Sequence, residues 1–441
     1  MDGLSREPTI RVGILSCAHQ ARFSLKGPFV NVSGDPAPEG YYACSLENGA
    51  VRLQGAAEEA QRSVTFTPTD FATCRITIED VTIGIDFHWE RKEAQQFQGA
   101  LIIRASDDGL TLINELPIES YLVSVVSSEM SASCPAELLR AHAVVSRSWL
   151  LAQLNERDKA VRPRARASYE PAGERIRWYD RESHSEFDVC ADDHCQRYQG
   201  ISKAFSKSAF EALQETRGKV LQYGDEICDA RYSKSCGGMT EVYSAAWEER
   251  DVPYLVSIYD GPGEIAGFNL PLSVEANAEA WIASRPPAYC DARAEDTLSR
   301  ILPGFDQETK DFYRWQVSYT RDELREILSA RLGVDFGRIE ALEPVERGQS
   351  GRIIRLRIRG ERETLLIGKE LEVRRALSRS HLYSSAFIVR QDDTSFHLIG
   401  AGWGHGVGLC QIGAAVMADR GVTHEEILAH YFKGARIRTL Y

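Results

Sequence analysis

Apolar and polar positions alternate along the first quarter of the chain. Arg11-Val-Gly-Ile-Leu15, Val64–Phe66, Ile76–Ile85 and Ala100–Arg104 repeat every second residue, which puts one face of a strand against a core. With frequent Gly, Thr and Val, this predicts a β-rich region over residues 10–115. The period changes at Leu116-Pro-Ile-Glu119. Ile118, Tyr121, Leu122, Val125 and Val126 recur at helical spacing, Pro117 suits a first turn, and the helix should end near Glu129-Met130. Cys134-Pro-Ala-Glu137 opens a second helix, whose apolar positions are Leu138, Leu139, Val145, Trp149 and Leu150. The two helices should form a hairpin with its elbow at residues 127–133.

Residues 155–185 are polar and basic without periodicity, which predicts a loop. A Cys- and His-rich segment follows at 184–195, then a short helix over Phe205–Thr216, a strand at Val220–Tyr223 and a turn at Cys236-Gly-Gly238. Residues 252–385 mix helices, clearest at 322–332, with β-rich segments. The chain ends in a glycine-rich segment, 402–413, and two helices. Gly421 closes the first, and Thr423-His-Glu-Glu426 caps the second, which buries Ile427, Leu428, Tyr431 and Phe432. The expected fold class is α+β: a β-rich N-terminal region (1–115), then one larger domain (116–441). That domain would hold the helical hairpin, a Cys/His loop at 155–200 and a mixed α/β insertion at 255–385, together forming a binding cleft.

Composition narrows the partners. The 441 residues carry 52 Lys and Arg against 64 Asp and Glu, a net charge of -12. A main role in gripping nucleic acid calls for a basic excess, and none exists. The basic stretch Arg352–Arg375 interleaves arginines with Ile353, Ile354, Leu356 and Ile358, the pattern of a strand with one solvated face. No apolar run approaches the ~18 residues of a membrane-spanning helix. The visible N-terminus shows no basic segment followed by an apolar stretch, so no secretory signal is legible. Ten cysteines in a chain of this length do not read as a compact disulfide framework.

The glycine-rich segment reads Gly402-Trp-Gly-His-Gly-Val-Gly-Leu-Cys-Gln-Ile-Gly413. Glycines at 402, 404, 406 and 408 would strip side chains from one face of an extended chain, for close packing or for ligand approach. It lacks the spacing of a phosphate-binding loop or a dinucleotide fingerprint. His405 and Gln411 are its polar side chains. His184, Cys190, His194 and Cys195 supply two imidazoles and two thiols, a donor set suited to closed tetrahedral Zn²⁺. A Cys190–Cys195 disulfide, or no bond, are the alternatives.

Taken together, these blocks resemble the stage II sporulation protein D / amidase-enhancer family. The resemblance rests on the 402–413 segment with Ile427-Leu-Ala-His-Tyr-Phe-Lys-Gly434, on Leu116-Pro-Ile-Glu-Ser-Tyr-Leu122 leading to Ser128-Glu-Met130, and on Pro135–Arg147. It also includes Thr216-Arg-Gly218, Cys236-Gly-Gly-Met-Thr-Glu241 and Pro253-Tyr-Leu255. The blocks keep the family's order. The resemblance implies peptidoglycan as substrate and a lytic transglycosylase, which would cleave between N-acetylmuramic acid and N-acetylglucosamine on peptide-stripped strands. It implies Glu129 as the catalytic acid/base, with Arg147 and Lys234 as further catalytic candidates. Tyr232, Ser235, His405 and Gln411 become substrate-binding candidates. The Cys/His cluster also resembles the zinc-binding insertion of sporulation-type members. A glycan-binding enhancer of an amidase is the alternative function, and a zinc hydrolase the third. The implied location is the cell envelope, so an export segment is expected outside this sequence. Cys236 and Cys410 stand where the family usually has serine. They suggest a thiol pair, a disulfide or small-residue replacements. Ile412 replaces the family's usual aromatic beside Gln411.

Overall fold

The computed structural model describes residues 6–441 except 55–59, 85–90, 132, 159–167, 180–183, 185, 193, 203–205, 293–294 and 303–310. The chain divides into two compact units. The first comprises residues 1–132, 181–219 and 439–441, the second 133–180 and 220–438. This division departs from the expected boundary at 115/116. The first helix stays with the β-rich region, and residues 181–219 return to it.

The first unit is built on two sheets. One runs in the order 189–190, 9–18, 109–117, 100–106, 63–68, 29–30 and 36–37. The other runs 50–53, 40–47, 20–26, 75–83 and 91–97. The period-two pattern is obeyed where one face is buried: in Gln20–Lys26, Ala21, Phe23 and Leu25 point inward and their neighbours outward. The expected strand at Ile76–Ile85 is observed as Arg75–Ile83; Ile85 lies outside the described residues. Val189–Cys190 adds to the sheet edge in parallel, pairing Val12 with Val189 and Gly13 with Cys190.

The Gly109–Pro117 strand runs directly into the helix Ile118–Glu129, with Pro117 as the capping residue. Ile118, Tyr121, Leu122, Val125 and Val126 are all fully buried, and the helix ends at Glu129, where Met130 turns extended. The short helix is Lys207–Glu215, capped by the Ser206 hydroxyl and packed on Ile118–Glu129; Phe205 lies outside the described residues.

In the second unit the helix Ala136–Asp158 packs against Gln411–Asp419 and His424–Tyr431. It continues to residue 158, and short strands occur at Ser168–Tyr169 and Glu174–Arg177, so the expected 155–185 loop is partly regular. The strand Glu174–Arg177 pairs in parallel with Thr364–Gly368 and carries Ser168–Tyr169 on its other side, which gives this polar stretch a ladder that its own sequence does not announce. The helix Arg321–Leu332 begins with a Thr320/Glu323 capping box and ends on Gly333. The basic stretch behaves as the pattern predicts. On Ile353–Gly360 the side chains of Ile353, Leu356 and Ile358 are fully buried, while Arg355, Arg357 and Arg359 pair outward with Glu346, Glu343 and Glu340.

The 402–408 segment is not an extended strand. Gly402, Gly404, Gly406 and Gly408 have φ of 77°, 89°, 74° and 73°, so the chain winds through left-handed positions before the short strand Leu409–Cys410. The winding wraps the guanidinium of Arg352, which is fully buried. Arg352 donates from Nε to the Gly404 carbonyl at 3.2 Å, and from Nη1 to the Cys236 carbonyl at 3.2 Å and to Ser350 Oγ at 2.9 Å. A Cβ at position 406 would lie 2.4 Å from Arg352 Cζ.

Two substitutions separate backbone strain from crowding. Gly421 has φ of 83° with no atom near a would-be Cβ, so Gly421→Ala should cost about 1 kcal/mol. Gly406→Ala adds a clash with Arg352 and should cost about 3 kcal/mol or more. Equilibrium denaturation of both variants checks the ordering; equal losses would mean that Arg352 moves aside freely.

Candidate functional site

Glu129 closes the first helix and retains only 9 % exposure, beside the buried Met130. Its carboxylate oxygen Oε1 accepts the backbone N–H of Arg197 at 3.4 Å. The segment that supplies this donor is fastened along the same helix. Gln199 N–H donates to Ser124 Oγ at 3.1 Å, Tyr121 OH bonds Gln196 Oε1 at 3.3 Å, and the Tyr121 and Tyr198 rings stack at 5.1 Å. Glu129 is therefore a nearly enclosed carboxylate with a fixed neighbourhood, which an ordinary surface glutamate at a helix end lacks.

The Cys/His segment lies immediately upstream of that donor, in the same unit. Cys195 Sγ sits 3.4 Å from His184 Nε2 and 3.6 Å from His194 Nδ1, and Cys190 Sγ sits 4.0 Å from His194 Nδ1. A tetrahedral zinc with bonds of ~2.3 Å to sulfur and ~2.0 Å to nitrogen has S···N edges of about 3.6 Å. The four donors lie within 4.8 Å of one another, so the residues fit such an ion. The Cys190 thiol is pulled far down by its hydrogen bond with Cys195, against burial, and also by His184 and His194, which favours a thiolate ligand. The adjacent pair His194-Cys195 is accommodated because the chain turns sharply there, with Cys195 N–H bonded to the Asp192 carbonyl at 3.0 Å.

The other predicted site residues belong to the second unit. Arg147 is fully buried, which excludes the solvated arginine that its helix position allows, and its Nη1 reaches the Ala143 carbonyl at 3.4 Å. Tyr232 and Gln411 meet at a residue that the sequence reading did not single out, His142. Gln411 Nε2 lies 3.0 Å from His142 Nε2, His142 Nδ1 lies 3.1 Å from Ser146 Oγ, and the Tyr232 ring stands edge-on at 4.7 Å. An amide nitrogen can only donate, so His142 Nε2 accepts and the imidazole proton sits on Nδ1, facing Ser146. Burial, with the Lys234 charge adding to it, brings the His142 pKa down to about 3. The one sequence signal was a lone polar residue in the apolar run Ala141-His-Ala-Val-Val145.

Ser235 and Gln411 are 0 % and 2 % exposed, so they shape the interior around the glycine segment. Ser235 exchanges backbone hydrogen bonds with Trp403, at 3.1 and 2.8 Å. Tyr232 and Lys234 are half-buried, and the Lys234 carbonyl accepts Ile412 N–H at 3.1 Å. His405 packs on Trp247 at 4.9 Å, and its Nδ1 accepts the Val407 N–H at 3.0 Å. Burial, then Arg231, Arg352 and Arg374, hold it well below the usual histidine range. Trp403 stacks on Tyr383 at 4.3 Å, forming an aromatic pair that the sequence motif contains but does not place.

His142 gives a pH dependence with a defined sign. Its folded-state pKa lies below its unfolded value, so its contribution to stability is full above pH 6.5 and is lost as pH falls towards 3. The stability gap between the wild type and His142→Asn should narrow over that range by an amount on the order of 4–5 kcal/mol. Denaturant unfolding at several pH values measures it; a constant gap would show that His142 titrates normally in the fold.

Residues 106–223 match the family described as Stage II sporulation protein, and residues 241–408 match a domain of unknown function. The amidase enhancer of Bacillus subtilis (strain 168) is 24% identical over 258 residues, covering 55% of this chain; the aligned part is 34% of that longer protein. Stage II sporulation protein D of Bacillus amyloliquefaciens is 24% identical over 325 residues, which is 74% of this chain and 75% of that protein. Stage II sporulation protein D of Bacillus subtilis (strain 168) is 23% identical over 326 residues, with the same coverage of 74% and 75%. Among the described residues no helix is long and apolar enough to cross a membrane. The order of the motif blocks and these relatives agree with the matched domain: residues 106–223 carry the domain of the Stage II sporulation protein family, and the chain is similar to stage II sporulation protein D and to the amidase enhancer.

Proposed function

We propose that the protein is a peptidoglycan lytic transglycosylase of the cell envelope, with Glu129 as its single acid/base. The observation that carries this reading is the nearly enclosed Glu129 carboxylate, fixed by the Arg197 N–H at the position that matches the family's catalytic glutamate. One carboxyl group suffices for this reaction. Protonated Glu129 gives its proton to the glycosidic oxygen as the bond from the muramic C1 breaks. The resulting carboxylate takes the proton of that sugar's own 6-hydroxyl, whose oxygen bonds to C1 and closes the 1,6-anhydro ring. The net change is cleavage without water, and Glu129 ends in its starting state. Hydrolytic glycosidases instead commonly flank the bond with two carboxyl groups.

Within the second unit, Arg147 and Lys234 are proposed as further catalytic groups and Tyr232 as a glycan contact, with His405 and Gln411 as supports of the glycine segment. Zn²⁺ held by His184, Cys190, His194 and Cys195 would be structural, since all four positions are filled by protein. It would fix the loop that delivers the Arg197 N–H to Glu129. The amidase-enhancer relative supports a second reading, in which the chain binds glycan strands and stimulates a partner amidase without cleaving them.

Mass spectrometry of soluble muropeptides tests the first reading. Wild-type protein on peptide-stripped peptidoglycan should release 1,6-anhydro ends, and Glu129→Gln should lower the rate by 10²-fold or more. Reducing ends would indicate a hydrolase. Absence of product on stripped and intact peptidoglycan, with glycan binding retained, would favour the enhancer reading. For the metal, Cys195→Ala should lose the zinc of this cluster by elemental analysis and lower the melting temperature by several degrees; unchanged metal content would refute zinc at this position.

A further inference from the structure

A second group of metal-binding side chains lies wholly within the second unit. Cys236, Asp260, Cys290 and Cys410 are 2 %, 0 %, 1 % and 0 % exposed. Their ligand atoms all lie within 4.8 Å of one another. Cys236 Sγ is 3.7 Å from Cys290 Sγ and 3.1 Å from Asp260 Oδ2. Zinc bonds of ~2.3 Å to sulfur and ~2.0 Å to oxygen in a tetrahedron give edges of about 3.8 Å for S···S and about 3.5 Å for S···O. The thiol pair already stands at that separation, and the carboxylate needs to move by only a few tenths of an ångström.

Backbone donors point at two of the three sulfurs. Cys410 Sγ accepts the Cys236 N–H at 3.3 Å and the Gly413 N–H at 3.4 Å, where Cys410 caps the helix Gln411–Asp419. Cys236 Sγ accepts the Gly238 N–H at 3.4 Å within the Cys-Gly-Gly turn. The other oxygen of Asp260 is fixed from behind: Oδ1 accepts Tyr431 OH at 2.8 Å and lies 3.4 Å from His430 Nε2. A carboxylate held in this way presents one free oxygen to an ion, as outer hydrogen bonds do around metal ligands generally.

We propose that Cys236, Asp260, Cys290 and Cys410 form a closed Zn²⁺ site in the second unit, separate from the Cys/His cluster. Binding forms three Zn–S bonds and one Zn–O bond, and the displaced thiol protons pass to solvent; no electron is transferred. With every position filled by protein, the site is structural. The oxygen donor favours zinc over the all-sulfur preference of cuprous ion. The positions of the ligands give the site a purpose. Cys236 and Cys410 flank the matched region 241–408, while Asp260 and Cys290 lie inside it. One ion would therefore clamp both ends of that region to its interior. A disulfide would use two sulfurs and leave the third thiol and the carboxylate facing it to no purpose.

The test is zinc stoichiometry of the full chain, supplied with Zn²⁺ and then desalted. The Cys195→Ser variant removes a ligand of the other cluster and leaves this one intact. It should retain one zinc per chain, and its cobalt-substituted form should show a thiolate-to-cobalt charge-transfer band. The Cys195→Ser/Cys290→Ser double variant should retain none. If the double variant does not fold, the cobalt band of Cys190→Ser/Cys195→Ser, in which the other cluster has no thiol left, decides alone. No zinc in Cys195→Ser, or a disulfide joining any two of Cys236, Cys290 and Cys410 in peptides from the alkylated, unreduced protein, would overturn the proposal.

Discussion

The interior of the second unit depends on one buried cation. Arg352 carries a permanent charge into a site with no exposure, and its donors are satisfied by the carbonyls of Gly404 and Cys236 and by Ser350. A buried charge is tolerable only when it is fully hydrogen-bonded. The glycine segment supplies those carbonyls by winding through left-handed conformations, and the same winding leaves no room for side chains facing the guanidinium. Glu241 lies alongside, fully buried, accepting from the backbone of Val242, Gln349 and Ser350 and from the Ser350 hydroxyl. Burial raises its pKa, while Ser350, Val242 and the Arg352 charge act against that rise. Ser350 thus bridges the two opposite charges.

The groups assigned to chemistry occupy contrasting environments. Glu129 stands at a helix end, in a unit built largely of strands, with its carboxylate nearly enclosed. In the second unit, His142 is held neutral between Gln411 and Ser146, so it acts as a hydrogen-bonding strut and carries no charge near neutral pH. Gln411, which the motif offers as a sugar contact, is buried and bonded to this imidazole.

Cysteine chemistry is also divided between the units. The Cys/His cluster leads by two residues into the segment that bonds Glu129, so the loop and the Glu129 carboxylate are mechanically linked. The Cys236 group lies between the glycine segment and the turn that Arg352 also binds. Cys236 and Cys410 stand far apart in the sequence. That they lie within hydrogen-bond distance of one another, with Cys290 and Asp260 closing the group, is a property of the fold.

The sequence by itself determined what depends on near neighbours along the chain. The Ile118–Glu129 helix, the capping box at Thr423, the charged outer face of Ile353–Gly360 and the strands Thr9–Ala18, Ser63–Pro68, Arg75–Ile83 and Ala100–Ser106 follow from local periodicity and capping chemistry. His184, Cys190, His194 and Cys195 could be grouped from the sequence because they stand within twelve residues of one another. Tertiary structure decided whatever required distant residues to meet. The glycine run looked extended because its period of two is that of a strand; a buried arginine some fifty residues earlier makes it wind instead. The strand Glu174–Arg177 exists because Thr364–Gly368 offers it an edge. His142 became a neutral strut only when Gln411 reached it, and Cys290 and Asp260 joined Cys236 and Cys410 across as many as 174 residues of chain. Periodicity records which face a residue buries; it holds no information about which distant polar group will be waiting there.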